Sequence, residues 1–306
     1  MKTLLHKTLF FVLAAIAILG LIDSVMALVL GFSFAILLKN PFKSQSKKAV
    51  SYLLKIAIVG LGFGMFIKET LVTSTESFTL TLLSILLTVS LGILLTHAFK
   101  TDRKLGHLIT SGTAICGGSA IAAISPVIKA KSETISMALA IIFLLNSVAL
   151  LAFPPLGHYF ELSQEQFGLW CAIAIHDTSS VVGAALSYGD EALRIATTVK
   201  LARTLWIIPL SLFSMFLFKT KGEKIKIPYF ILLFVGVICI NSLHLIPENI
   251  TNSIVTVSKR LLVLTLFLVG STISIQDIKT TGIKPVALAI LLWISIALFS
   301  LVYILH

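Results

Sequence analysis

The sequence predicts an all-α, polytopic membrane protein with interrupted segments at its centre. Three observations carry this reading. The chain has 306 residues, of which 57% are hydrophobic and only 12% charged, about half the charged share of a soluble domain. Its apolar residues gather in runs close to the ~20 residues that a helical span needs. Two of those runs contain groups that are costly in lipid: a glycine pair in one, an adjacent histidine and aspartate in the other.

About eleven hydrophobic segments follow one another, at roughly 8–22, 24–38, 50–67, 77–98, 106–128, 134–157, 167–188, 192–218, 228–245, 253–275 and 285–305. None alternates as a barrel strand would, so helices are the remaining way to satisfy the backbone in lipid. No polar stretch is longer than a short loop, and 1–306 reads as a single integral membrane domain. The first run, after Lys2 and Lys7, has no convincing small-residue cleavage site, and another run follows at once. It reads as a retained helix. Cys116, Cys171 and Cys239 lie in apolar segments without metal or disulfide spacing, so no metal site and no cofactor is expected. The net charge of +11 comes from short lysine clusters between apolar runs. That pattern speaks of membrane orientation, and no nucleic-acid partner is expected.

The clusters set the orientation. Lys2 and Lys7; Lys39, Lys43, Lys47 and Lys48; Lys100, Arg103 and Lys104; Lys219, Lys221, Lys224 and Lys226; and Lys279 and Lys284 read as cytoplasmic. This places the N-terminus in the cytoplasm of a cell (inner) membrane. Asp23, Glu69, Glu76 and Glu248 fall on the other side. If every segment crosses, Lys129 and Lys131 fall outside, and Glu161 and Glu165 inside. Both pairs return to the expected side if the fifth and seventh segments turn back on themselves, the fifth from the cytoplasm and the seventh from outside. A broken helix that does cross is the alternative. Internal similarity also points to inverted repeats, approximately 24–157 and 167–305. "LLKIAIVGLGFGMFIKE" from Leu53 and "LLVLTLFLVGSTISIQD" from Leu261 share L-L-x7-G-x4-I-x-acid. "AICGGS" from Ala114 matches "AIHDTS" from Ala174.

The chemistry lies in three stretches. "SGTAICGGSAIAA", from Ser111, holds Gly117 and Gly118 in mid-segment. A glycine pair in a helix costs on the order of 1–2 kcal/mol against alanine. A break there needs protein or a wet cavity around its freed backbone groups. The N–H groups of a half-helix favour an anion, and Thr113, Gly117, Gly118 and Ser119 can all donate. Close helix packing is the competing reading of the glycines. "IAIHDTSSVVGAA", from Ile173, places His176 and Asp177 in the membrane, where ionisable groups mark ion paths or proton relays. Its "DTSS" run resembles a helix N-cap, which gives Asp177, Thr178 and Ser179 a half-helix to open. In "VKLARTLWIIP", Lys200 and Arg203 share a helix face. They either pair with Asp177 or present donors to an oxyanion, which the arginine fork suits; snorkelling to an interface competes. Asn146 and Lys55 are weaker candidates.

These stretches resemble the signature regions of the YeiH-like family, whose members carry the name of sulfate exporters. "SGTAICGGSAIAAISPVIKAK", "IHDTSSVVGAA" and "TTVKLARTLWIIP" carry the likeness, and "LVGSTISIQDIKTTG" resembles the family's late glycine-containing helix. The likeness covers nearly the whole chain. The family's usual "TSICG-A-SAI" stands here as "TAICGGSAI". Its usual "HD-T/V-A-Q-V" stands as "HDTSSV", with Ser180 in place of a glutamine. The resemblance implies the fold group of cation–proton antiporters and anion transporters, and export or exchange of a small oxyanion. The expectation is a secondary transporter of a small anion, sulfate or a related sulfur oxyanion foremost, and not an enzyme. Thr113, Gly117, Gly118, Ser119, Thr178 and Ser179 would line the site and Lys200 and Arg203 would supply charge. His176 and Asp177 would couple a proton or sodium ion or organise the cations. The bilayer and the anion are the expected partners, and a homodimer is compatible with this reading. The rivals are a cation–proton antiporter using Asp177, a membrane-embedded enzyme with Cys116 as nucleophile and His176 as base, and a receptor or structural protein.

Overall fold

The computed structural model describes residues 2–38, 40–220, 229–272 and 282–306. Among the described residues there are fifteen α-helices, one short 3₁₀ turn and no strand. In chain order they are α1 Lys2–Leu19, α2 Ser24–Leu38, α3 Lys43–Leu61, the 3₁₀ turn Gly62–Gly64, α4 Ile67–Glu76, α5 Phe78–Ala98, α6 Arg103–Ala114 and α7 Gly118–Val127. There follow α8 Ser132–Tyr159, α9 Gln164–Ala174, α10 Thr178–Tyr188, α11 Asp190–Thr204, α12 Ile207–Phe218, α13 Tyr229–Ser242, α14 Glu248–Thr272 and α15 Ile283–Leu305. The expected cytoplasmic Lys39, Lys221, Lys224, Lys226 and Lys279 lie outside the described residues, as does the end of the second repeat motif, Ile273 to Asp277.

Five stretches are long and apolar enough to cross a bilayer: α5, α8, α11 with α12, α14 and α15. A sixth is counted if α3 and α4, bent by 109° at their junction, form one span. The expected count of about eleven is not confirmed. The first, second and ninth segments give α1, α2 and α13, of 18, 15 and 14 described residues, and these are not counted among the spans. The fifth and seventh segments are each broken in two.

The described chain divides into two units. The first takes 1–72, 182–190 and 228–274. Here α14 packs along α2 and α3, with α1 beside it. Where α2 meets α14, a side chain at Gly31 would collide with the Phe267 carbonyl oxygen, and one at Gly270 with that of Leu28. The glycines let two backbones touch, the device that drives helix association where lipid offers no hydrophobic gain. Rings of Phe34, Phe42 and Phe267 surround Phe10 at 5.4–5.6 Å. The bend after α3 frees backbone groups, and the end of α13 takes them up. Asn241 Nδ2 donates to the Met65 carbonyl at 3.1 Å, and Ile67 N–H to Ser242 Oγ at 2.8 Å.

The second unit takes 73–181, 191–227 and 275–306. Its α5 and α6 cross through a reciprocal pair. The Thr110 side chain fills the space over Gly92, and that of Thr96 the space over Gly106. Each threonine hydroxyl turns back to the carbonyl of the glycine one turn before it, at 2.8 and 2.6 Å, so no polar group is stranded between the helices. Trp170 Nε1–H donates to the Ala297 carbonyl at 3.0 Å and its ring stacks on Phe153 at 4.2 Å, tying α9 to α15 and α8.

The two broken segments fold back. Lys104, at the start of α6, donates through Nζ to the Lys129 carbonyl just past α7, at 2.8 Å. Glu191 N–H donates to Oε1 of Gln164, the first residue of α9, at 3.0 Å. The two ends of each segment therefore lie together, and between the two hairpins α8 runs its 28 residues from Ser132 to Tyr159. Lys129 and Lys131 thereby join Arg103 and Lys104 at one end, while Glu161 and Glu165 join Glu191 at the other.

This geometry predicts labelling from opposite sides. With Cys239, the exposed native cysteine, replaced by serine, Arg103→Cys and Lys131→Cys should react with an impermeant maleimide from one face of sealed vesicles. Glu165→Cys and Glu191→Cys should react from the other. Labelling of Arg103→Cys and Lys131→Cys from opposite faces would show that the fifth segment crosses.

Candidate functional site

The hairpin tips share one register. The inbound arm α6 ends at Ala114 and the outbound arm α7 starts at Gly118; α9 ends at Ala174 and α10 starts at Thr178. The matched stretches "AICGGS" and "AIHDTS" are thus the two tips. Gly117 has φ +60° and ψ −121°, a conformation closed to residues with a side chain. A Cβ there would also lie 3.3 Å from the Asp177 Cα and N. The tips meet at this point.

Each tip exposes the C-terminal end of an inbound arm, where the last carbonyls have no helical partner and the macrodipole leaves about half a negative charge. Lys200 and Arg203 of α11 meet those ends. Lys200 Nζ donates to the Ile175 carbonyl at 2.7 Å and the Ala172 carbonyl at 3.2 Å, closing α9. Arg203 donates from Nε and Nη2 to the Ala114 carbonyl at 2.9 and 2.6 Å, closing α6, and from Nη1 to Ser84 Oγ of α5 at 3.0 Å. Both side chains are 0% exposed. Among the described residues neither forms an ion pair with Asp177. The sequence offered these cations as partners of Asp177 or as direct donors to an anion. The bonds they make go to half-helix carbonyls.

The outbound arms start differently from one another. Asp177 caps α10: its Oδ2 accepts from the Ser179 N–H at 3.1 Å and from the Ser179 hydroxyl. The α7 N-terminus has no side-chain cap, and Ser119 there is exposed. Its Gly118 and Ser119 N–H groups have no side-chain cap, while the next one, of Ala120, faces the buried Cys116 thiol.

Asn146, a single amide in the apolar run of α8, joins the parts. Its Oδ1 accepts from the N–H groups of His176 and Asp177 at 3.1 and 3.2 Å. Two donors on one atom fix the amide orientation, so Nδ2 points elsewhere, and it is buried with no partner. Both ring nitrogens of His176 and the Thr113 hydroxyl are likewise buried and unpartnered. The Thr113 hydroxyl differs from those of its neighbours Thr110 and Ser111, which bond back to the preceding turn at 2.8 Å. Unpaired buried polar groups are rare in folded proteins and call for a ligand, water or ion.

Of the residues singled out from the sequence, Gly117, His176, Asp177, Ser179, Lys200 and Arg203 belong to this junction. Thr113 stands in the last turn of α6, Thr178 begins α10, and Gly118 and Ser119 begin α7. Cys116 is buried at the same tip, but His176, without any hydrogen-bond partner, does not act on its thiol in this geometry. Lys55 is exposed on α3, near the Tyr52 ring. Asn146 carries more than its weak sequence signal suggested. Ser84 was not foreseen, because one serine among the many hydroxyls of α5 does not stand out.

The comparisons with known proteins agree on the kind of molecule. The chain matches the family model described as "Conserved hypothetical protein 698" over residues 4–289. It is 51% identical over 300 residues to a UPF0324 membrane protein of Photobacterium profundum, covering 97% of this chain and 91% of the relative. A UPF0324 membrane protein of Shewanella oneidensis is 47% identical over 303 residues, 98% of this chain and 95% of the relative. One of Bacteroides thetaiotaomicron is 45% identical over 282 residues, 91% and 85%. No solved structure matches the chain.

The carbonyl-capping role predicts the cost of losing a cation. Lys200→Met and Arg203→Met keep an unbranched stem but leave buried carbonyls unmet, and each should destabilise the protein by about 1.5–3 kcal/mol. Arg203→Lys should fall between wild type and Arg203→Met. Thermal unfolding in detergent gives the ranking. Amide exchange should rise at 114–118 for Arg203→Met and at 174–178 for Lys200→Met; unchanged exchange at both tips would refute the assignment.

Proposed function

The chain belongs to the family described as Conserved hypothetical protein 698, the UPF0324 membrane proteins, which is the YeiH-like family its motifs resemble; from that premise we propose that it is a secondary transporter of a small anion. Sulfate or a related sulfur oxyanion is the leading substrate. The anion sits at the bare N-terminus of α7, with the Asn146 amide, the Thr113 hydroxyl and His176 as further donors. Lys200 and Arg203 act as positioning residues, and Asp177 organises the α10 end or couples a proton. Binding from the N-terminal end of one hairpin arm suits the two-sided access that inverted repeats give, and the common register of the tips supports such repeats. The lysine clusters support a cytoplasmic N-terminus.

The carrying observation is the charge balance at the tips. Four half-helix ends meet there, two negative and two positive, each worth about half a charge, and they cancel. Lys200 and Arg203 add two formal positive charges and Asp177 one negative. The sum is about +1, and the unpartnered Asn146 amide and His176 ring lie on the same junction. An excess of positive charge and free donors asks for an anion.

Counterflow in proteoliposomes against sulfate, sulfite, sulfonates and carboxylates tests this, with one substitution to separate it from cation–proton exchange. Asn146→Asp keeps the acceptor that holds His176 and Asp177, removes the free donor and adds a negative charge. Anion transport should fall at least about tenfold, the worth of one hydrogen bond to a charged group. Asp177→Asn retains the oxygen that caps α10 and should alter pH dependence while leaving anion binding in place. Loss of binding in Asp177→Asn together with full activity in Asn146→Asp would favour the cation reading.

A further inference from the structure

A cavity in the second unit, apart from the hairpin tips, is claimed by none of the above. It measures about 450 Å³ and lies where the end of α5, the start of α6 and the end of α12 meet. Its basic lining is His97, Lys100, Arg103 and His107, with Thr96, Thr101 and Thr110 beside them, and no carboxylate is among its described lining residues. The nearest one in sequence, Asp102, is turned away to cap α6, accepting from the Lys104 and Leu105 N–H groups at 3.1 and 2.9 Å.

The lining is built by helix ends. After α5 the chain turns through paired bonds, Lys100 N–H to the His97 carbonyl and Thr101 N–H to that of Thr96, both 3.1 Å. The residue this turn holds in the left-handed region is Lys100, with φ 51°, where glycine is the usual choice. A cation thus occupies a strained position at the cavity. Arg103 is braced by the Leu217 carbonyl at 3.2 Å and lies 5.1 Å from the centre of the Phe218 ring. That contact uses one donor of its five and leaves others free. His107 is fixed by Ser214 Oγ at 2.8 Å. The Thr101 hydroxyl is buried without any partner. Ile93, 44% exposed, and Leu217 and Phe218 form an apolar wall.

We propose that this cavity binds a phosphate-class oxyanion, held by Lys100 and Arg103 with the Thr101 hydroxyl as a further donor. Its phosphate belongs to an anionic phospholipid headgroup or to free inorganic phosphate. The apolar wall ending at exposed Ile93 suits the lipid, whose chains can follow it into the bilayer, and basic pockets between membrane helices take such headgroups.

Lys100→Gly is the informative variant. It removes the charge while suiting the left-handed turn better than lysine does, so a loss of binding is not a loss of fold. Purified protein in non-ionic detergent is titrated with phosphatidylglycerol, with phosphatidylcholine and, separately, with inorganic phosphate. Lipid retention is read by native mass spectrometry and the phosphate response by thermal shift. If the ligand is a headgroup, phosphatidylglycerol binds in preference to phosphatidylcholine. Lys100→Gly then lowers its affinity about fivefold, and Lys100→Gly with Arg103→Gln about thirtyfold. If it is free phosphate, inorganic phosphate stabilises the wild type and not Lys100→Gly, without a preference between lipids. The proposal is overturned if no phosphate compound responds to either substitution, or if the phosphate response survives Lys100→Gly and is lost in Asn146→Asp, which would assign it to the hairpin tips.

Discussion

A helix that ends inside a membrane must give its last carbonyls a partner, and the second unit is built around that requirement. Unmet backbone groups in a medium without water cost several kcal/mol each. Here two inbound arms end at matching positions, Ala114 and Ala174. Neutral caps could satisfy the carbonyls one by one, but they would leave two negative dipole ends side by side. Lys200 and Arg203, three residues apart on α11, deal with both the missing donors and the field. The remaining placements follow. Ser84 of α5 must stand beside Arg203 to take its third bond, and Asn146 of α8 must reach the second tip from its own helix.

The first unit solves a smaller version of the same problem with neutral groups. The bend between α3 and α4 frees single backbone groups, and Asn241 and Ser242 take them. Among the described residues no buried cation is used there. The glycines separate in the same way. Gly31, Gly270, Gly92 and Gly106 permit close approach of helices in ordinary conformations. Gly117 instead provides a backbone shape that other residues do not adopt, at the place where the two tips touch.

Much of this was legible in the residues. The positions of both breaks, the helix-capping nature of "DTSS" and the all-helical class could be read from Gly117–Gly118, from His176–Asp177 and from unbroken apolar runs. Even the folding back of the two segments was foreshadowed by Lys129 and Lys131, whose charge belongs with Arg103 and Lys104. The number of spans was not legible. Apolar content alone does not say where a helix stops, so runs that read as spans are not all confirmed as such, and the bend after Gly62 left no polar mark of its own. The partners of Lys200 and Arg203 were not legible either. Their donors go to backbone carbonyls at 172, 175 and 114, and every residue has a carbonyl whatever its side chain. Asn146 was underrated for a related reason. Its importance comes from what its two ends do separately, one bound and one free, and a sequence shows only that an amide is present.

Because both cations ride on one short helix, α11 works as a shared handle. Arg203 grips one tip and Lys200 the other, about 4.5 Å apart along the axis at 1.5 Å per residue. Sliding or tilting α11 carries the two tips together. Pulling one tip alone would strand a charge or a carbonyl in the interior. The pair is thereby geared to travel as one body, and the freedom left to the junction is that of the helices around it.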